Sequence, residues 1–264
     1  MKKGIVWMGI VTVLLTACGS GNREPNTEFK RAVIDTTTKL TREENSPQCT
    51  VHLNIEYAAK DSKAAQEMNR AVMGHLLDME GMSMEQAVDS FANKYARDYQ
   101  KNFAPLYRKD RGDDAKRAWY EYRYSVDTNT RAGHEGIVVY VATLEYYEGG
   151  AHGISQRLVM NFNEDTGRQV VLSDVFVPGY EEGLNEKLLE ALMDFADAGS
   201  LEELHEKGFL YSMDMFAPEN FILGEDEVTF VYNPYEIAPY PEGIIELSID
   251  YDDLKDILKK EWKS

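Results

Sequence analysis

Glu148, His152 and the tyrosines beside them are the residues of this chain whose types and spacing best suit chemistry. They stand in Tyr146-Tyr147-Glu148-Gly149-Gly150-Ala151-His152-Gly153. Three glycines in five residues demand positive φ or the close approach of another group. An imidazole here could act as a general base or a ligand contact, with Tyr146, Glu148 or Glu236 as its partner. The competing reading is a packing loop whose imidazole hydrogen-bonds a carbonyl and holds two parts of the chain together. A titratable side chain alone weighs little against that. A second stiff stretch, Asn233-Pro234-Tyr235-Glu236-Ile237-Ala238-Pro239-Tyr240-Pro241-Glu242-Gly243, supplies more aromatic surface. Tyr235 and Tyr240 suit a platform for sugar rings or for a partner's surface, and equally the packing of a proline-rich crossover. The candidate ligand contacts are thus Tyr146, Glu148, His152, Tyr235, Glu236 and Tyr240, with no residue assigned as catalytic.

Other chemistries find no support. The five histidines, His52, His75, His134, His152 and His205, never fall at His-x-x-x-His or His-x-His spacing. Asn161-x-Asn163-x-Asp165 hints at a calcium loop, but Thr166 stands at the glycine position and Leu172 where a bidentate glutamate is required. A hairpin turn explains it better. A Gly-x-Ser-x-Gly elbow and a phosphate loop are both lacking. No metal and no cofactor is expected. The formal charge of −18, from 28 basic and 46 acidic residues, argues against nucleic acid, whose phosphates need a basic face. Acidic pairs such as Asp113-Asp114 and Glu225-Asp226-Glu227 suit a solvated surface, or the steering of a cationic partner.

The beginning of the chain carries an address. Lys2 and Lys3 precede an apolar run from Gly4 to Ala17, the length of a signal-peptide core and too short to span a bilayer. It ends in Leu15-Thr16-Ala17-Cys18, which resembles the lipobox of bacterial lipoproteins and implies acylation of Cys18. The membrane partner is then the lipid anchor. The location is the bacterial cell envelope, at the periplasmic or surface face of an outer membrane. With Cys18 lipidated, Cys49 has no disulfide partner. It alternates with Val51, Leu53, Ile55 and Tyr57, as an inert cysteine on the buried face of a strand would.

The expected organisation is a signal peptide over 1–17, Cys18 and a polar tether over 18–46, an N-terminal α+β half over 47–160 ending in the Gly-Gly-Ala-His-Gly loop, and a C-terminal α+β half over 161–260. Phe29, Val33 and Ile34 suggest that part of the tether packs as a first element. After the Cys49 strand the period becomes helical through Ala64, Met68, Val72 and Leu76, with Gly81 as the stop. Ser83 and Gln86 form a capping box that opens a helix striped by Ala87, Phe91, Tyr95, Tyr99 and Phe103, with Pro105 at or near its end. Strands follow over Trp119–Val126, Ile137–Tyr147 and Arg157–Phe162, with a loop over Asn129–Gly136. A hairpin turn with Gly167 at positive φ comes next. Helices over Tyr180–Phe195 and Leu201–Lys207, a hairpin around Gly224-Glu225-Asp226, a strand over Ile244–Ile249 and a closing helix over Tyr251–Trp262 complete the series. The fold class is α+β: antiparallel sheets with helices packed on one face, in two sequential halves.

Several of these motifs together resemble a known family. They are the glycine-histidine loop, the hairpin at Asp165-Thr166-Gly167, Leu172-Ser173-Asp174-Val175-Phe176, and Asn233 through Tyr240 and Gly243. Ile249-Asp250-Tyr251 and Leu254 belong to the set, and the helices bearing Asn69 and Ser83-Met84-Glu85 fit more loosely. The chain is similar to the RsiV-like extracytoplasmic domains, found in the anti-sigma-V factor and before the catalytic domain of PdaC-type peptidoglycan deacetylases. The resemblance implies a cell-wall role, with lysozyme or peptidoglycan as ligand, since the RsiV region is a lysozyme receptor. A lipobox in place of a transmembrane helix, and no deacetylase domain, imply neither anti-sigma nor deacetylase activity. The expected object is a binding module that recognises a wall glycan or a cationic wall-degrading protein. The alternative is a glycan- or wall-directed hydrolase using His152 and Glu148.

Overall fold

The computed structural model describes residues 24–110 and 112–263. The signal peptide, Cys18 and the first part of the tether lie outside the described residues. The elements are β1 (Phe29–Lys39), β2 (Gln48–Ala58), α1 (Lys63–Leu77), α2 (Met84–Asp110), α3 (Asp114–Arg117), β3 (Tyr122–Ala132), β4 (Ile137–Glu148), β5 (Ile154–Asn163) and β6 (Gln169–Val170). Then come α4 (Leu172–Val175), α5 (Glu181–Phe195), α6 (Leu201–Glu206), β7 (Phe221–Leu223), β8 (Glu227–Tyr232), β9 (Ile245–Asp250) and α7 (Tyr251–Leu254). The class is α+β, with a six-stranded sheet ordered β1-β2-β3-β4-β5-β6 and a three-stranded antiparallel sheet ordered β7-β8-β9.

The large sheet departs from a pure meander at one place. β2 and β3 run parallel, Cys49 beside Tyr122 through Asn54 beside Asp127. A parallel pair needs a long crossover, and α1 with α2 supplies it. Both helices pack on β2, and α2 also packs on β1. Cys49, Val51, Leu53 and Ile55 point into this helix-facing core, together with Met68, Val72, Leu76, Ala87, Val126, Tyr140 and Phe162. Burial pushes the Cys49 thiol up to about 12, aided by the charge of Glu148, so it stays protonated and inert.

Odd-numbered residues of β4 and β5 face the other way. Ile137, Val139 and Val159 join Leu184, Leu188 and Leu192 of α5, Phe221, Phe230, Leu247, Leu254 and Leu258 in a second core. The two cores thus share β4 and β5, and the boundary expected at 160/161 falls inside β5. What closes the outer edge of β5 is unusual. The Asn233 carboxamide accepts from Arg157 N at 2.7 Å and donates to Arg157 O at 3.1 Å. Asn220 accepts from Val159 N at 2.7 Å and donates to Arg157 O and Val231 O. Asn161 reaches outward, donating to Phe221 O at 2.8 Å and accepting from Leu223 N at 3.0 Å. A carboxamide carries the same donor and acceptor as a peptide group, so it can continue a ladder where no strand lies.

Local signals produced several elements as expected. Ser83 Oγ accepts from Gln86 N while Gln86 Oε1 accepts from Ser83 N, so the capping box opens α2. Gly167, at φ 70°, closes the hairpin, its N–H donating to Asn163 O at 2.8 Å. A side chain there would drive Cβ to 1.8 Å from Ala64 O. The first element suggested by Phe29, Val33 and Ile34 is a strand, Phe29–Lys39, paired with β2 along its whole length. Only Ala32 of it is buried, which erased the period-two signal. Other expectations are corrected. α1 stops at Asp78 in the left-handed region, before Gly81. Pro105 lies inside α2, which continues to Asp110. The last turn is held from outside the helix, where Asp110 accepts from Lys116 Nζ and Tyr120 Oη, both at 2.7 Å. β3 starts at Tyr122, after a 3-10 turn at Ala118–Tyr120, and runs on to Ala132 through the expected loop. The closing helix is a single turn, Tyr251–Leu254, after which Leu258 bridges to Phe176.

Two outcomes follow from these contacts. Asn161→Ala strands two buried backbone groups and is expected to lower stability by about 3 kcal/mol in urea unfolding. His52 bonds Asp35 at 2.6 Å and faces Asp127 at 3.4 Å, across β1, β2 and β3. Partial burial alone would lower its pKa, but the hydrogen bond and charge of Asp35, then Asp127, outweigh it and raise it above 6.5. The stability it lends is therefore full below about pH 6.5 and lost as pH rises through the raised value. The stability gap between the native chain and His52→Gln should shrink from pH 5 to pH 8.5, as read by denaturation at each pH.

Candidate functional site

β4 delivers the glycine loop to one end of the large sheet. Gly149 has φ 80° and Gly150 φ 105°, conformations that disfavour other residues. A Cβ at Gly149 would lie 2.4 Å from Trp119 O, so the loop presses against the 3-10 turn before β3. Tyr147 Oη donates to Gly150 O at 2.9 Å and tightens the bend. Beyond it, His152 Nδ1 lies 3.1 Å from Gly153 O, a contact that requires the proton on Nδ1. Tyr240 Oη donates to the same carbonyl at 2.7 Å. The two rings stack at 4.2 Å, 21° from parallel. Tyr235 extends the stack, 5.6 Å from Tyr240.

The second loop is held as firmly. Asn233 clamps it to β5, and Glu236 Oε2 accepts from Asn233 N at 2.7 Å. Glu236 thus closes its own turn and does not partner His152. Tyr235 is in the left-handed region at φ 74° with 61% of its surface exposed. A non-glycine residue so placed costs of order 1–3 kcal/mol, and such positions cluster at ligand clamps. The ring stack, exposed at His152 and Tyr235 and half-buried at Tyr240, therefore spans the two halves.

Tyr146 and Glu148 take the opposite side. The period of two that buries Tyr140 turns them towards α2. Tyr146 stacks on Tyr124 at 6.4 Å, and Glu148 Oε1 accepts from Tyr95 Oη at 2.5 Å. Burial first, then this bond to Glu148, push the Tyr95 phenol far up. The six sequence candidates thus split into an outward ring stack, a turn-closing glutamate and a pair on the helix side. Glu148 engages Tyr95 while His152 engages Tyr240 and Gly153 O, and no hydrogen bond or ion pair joins the two among the described residues. The His152 imidazole reaches the carbonyl of its own neighbour Gly153, and its contact with the other loop is the stack on Tyr240. Among the described residues no group of three or more His, Cys, Asp or Glu is placed to hold a metal, and no helix is long and apolar enough to cross a membrane.

Sequence reasoning missed Trp119, 55% exposed beside the loop. It also missed the clamping asparagines and the cleft that α2 forms with Glu148. Residues 173–252 match the model of a family described as a protein of unknown function (DUF3298). They carry a DUF3298 domain. That segment holds Tyr235, Glu236 and Tyr240, and Tyr146, Glu148 and His152 precede it. The crystal structure of a DUF3298 family member from Bacteroides fragilis is similar over 91% of this chain and 96% of its own, with a TM-score of 0.83 and 27% identity. A DUF3298 family protein from Pseudomonas aeruginosa shares the fold at a TM-score of 0.64 and 18% identity, over 90% of this chain and 97% of its own. No curated protein matches the sequence.

Tyr240→Phe keeps the ring stack and removes one hydrogen bond to Gly153 O. Global stability should fall by about 1 kcal/mol, while amide exchange speeds up selectively at residues 149–154. Unchanged exchange there would show that the hydroxyl does not hold the loop.

Proposed function

We propose that this chain is a lipid-anchored binding module of the bacterial envelope that recognises a cell-wall glycan without transforming it. The observation that carries the reading is the half-exposed stack of His152, Tyr240 and Tyr235, tied to the scaffold through Gly153 O and Asn233. Rigid, half-exposed rings give large contact area at little cost in side-chain entropy, and a sugar's C–H face packs on such a surface. The hydrolase alternative asks Glu148 and His152 to work as acid and base on one bond, and their separate engagements count against it.

A second reading has its own support. The charge of −18 favours a cationic protein, and likeness to RsiV-type ectodomains in the two loops favours a wall-degrading enzyme such as lysozyme. Acylation at Cys18 would keep either ligand close to the membrane.

Titrating the full chain with soluble peptidoglycan fragments and, separately, with lysozyme, each at low and high salt, tests both readings. Glycan binding should be insensitive to salt and fall about tenfold in Tyr235→Ala with folding retained. Lysozyme binding should weaken steeply with salt. Glycan turnover by the native chain, or affinity unchanged in Tyr235→Ala, would defeat the first reading. Salt-insensitive or absent lysozyme binding would defeat the second.

A further inference from the structure

The face of α2 that the aromatic stripe follows is not sealed against the sheet along its whole length. Between α2 and β3, beside Glu148, lies a cleft of about 370 Å³. Tyr99 and Tyr122 form its floor, with ring centroids 5.2 Å apart, and Phe103 leans on Tyr122 at 4.8 Å. Phe91 and Tyr95, stacked at 6.1 Å, line it further along α2. The volume is within the range of small-ligand pockets.

We propose that this cleft binds an organic cation, the alkylammonium or guanidinium of a lysine or arginine side chain presented by a partner polypeptide. Aromatic faces attract such a cation through their quadrupoles, most strongly where water is partly excluded. Tyr95 donates its hydroxyl proton towards Glu148, which leaves its ring richer in electrons. Glu148 keeps its second oxygen, Oε2, without a hydrogen-bond partner among the described residues, and Asp98 lines the same cleft. The charge of Glu148 is felt through the aromatic cluster. After burial, it is the next cause holding up the Tyr122 phenol, at about 12, and the Tyr124 phenol. A cation seated there would meet that field directly.

A neutral sugar fits less well. Lys94 and Asn102 also line the cleft, but Glu148 and Asp98 together outweigh the Lys94 ammonium and leave the lining net negative, which favours a cation over a neutral ligand. Tyr95 and Tyr99 already spend their hydroxyl protons on Glu148 and Tyr120 O. A polypeptide suits the flanks better than a lone amine. Leu106, a turn beyond Phe103 on α2, is 46% exposed, and Trp119 is 55% exposed on the turn that precedes β3. Exposed aromatic and aliphatic residues around a charged pocket are the composition of a protein interface. The negative charge of the whole chain would draw such a partner in.

The inference rests on the reading of the chain as a binding module and assigns it a second contact, on the opposite side of β4 from the ring stack. It is tested by titrating the full chain with Nα-acetyl-lysine methylamide and with the same molecule acetylated on Nε, following the α2 and β3 resonances. The cationic probe should shift resonances of Tyr95, Phe103 and Tyr122, and Nε-acetylation should weaken binding at least about tenfold. Glu148→Gln keeps an acceptor for Tyr95 and should fold as the native chain does, yet lose about tenfold in affinity for the cation. Phe91→Leu should lose a smaller factor. Equal affinity for the acetylated probe, unchanged binding in Glu148→Gln, or an N-acetylglucosamine oligomer shifting these resonances in place of the cation would overturn the proposal. If the cation fails while glycan binding through Tyr235 persists, this inference falls alone. If neither ligand binds, the glycan-binding reading falls with it.

Discussion

The structure depends on how the free edge of β5 is satisfied. One side of β5 pairs with β4 along its whole length, while on the other β6 covers only Asn161 and Phe162. Arg157 and Val159 would otherwise leave partly buried N–H and C=O groups unpaired, each at a cost of about 1–3 kcal/mol. Among the described residues no further strand is added. Asn220 and Asn233 bring their carboxamides to these groups from the second half of the chain, and Asn161 returns the favour to β7. The same device recurs in the first half, where Asn69 of α1 both donates to and accepts from Ala58 at the end of β2. Because the amide of asparagine is planar and short, each contact fixes an orientation as well as a distance. The two halves are thereby locked in register as neighbouring strands would be.

That register explains what was legible in the sequence. Signals whose partners sit within a few residues were readable: the Ser83–Gln86 capping box, the Gly167 turn, the alternation from Cys49 to Ile55 and the amphipathic run of α5. Their physics is local. The asparagine clamps join residues about 60 to 76 positions apart, and nothing in a polar residue at a strand end announces its distant carbonyl. The parallel pairing of β2 with β3 was hidden for a related reason. Tyr120, Tyr122 and Tyr124 declare a strand, but the choice of neighbour is made by two helices lying across β2. Pro105 misled because its cost is local, whereas the bonds from Lys116 and Tyr120 to Asp110 that support the last turn come from beyond the helix.

The candidate site was legible in its parts and not in its assembly. Both loops were identifiable from glycine, proline and aromatic content. A strand's period of two decides the rest. Tyr146 and Glu148, on the parity of Tyr140, go to the helix side, while the reversal at Gly149 and Gly150 releases His152 from that alternation. Six residues that look like one constellation therefore part into a ring stack shared by two loops, a glutamate that closes its own turn and a pair on the helix side. Aromatic residues at helical spacing, as from Phe91 to Phe103, normally mean burial. This stripe is core along one flank, where Tyr99 is 3% exposed, and open cleft along the other.

Stability and loop geometry meet in Asn233. Its carboxamide closes the edge of β5 at Arg157, and its backbone N–H fixes Glu236 in the turn that holds Tyr235 at φ 74°. A strained residue with an exposed ring persists only where its surroundings over-determine it. Here they do so from both sides, since Tyr240 is tied to Gly153 O on the opposite loop and stacked on His152. Loosening the seam would therefore disorder the ring stack before it unfolded either core, because each core keeps its own helices and apolar contacts. The loops are irregular in backbone yet rigid in placement, because each is fixed by hydrogen bonds from outside its own turn.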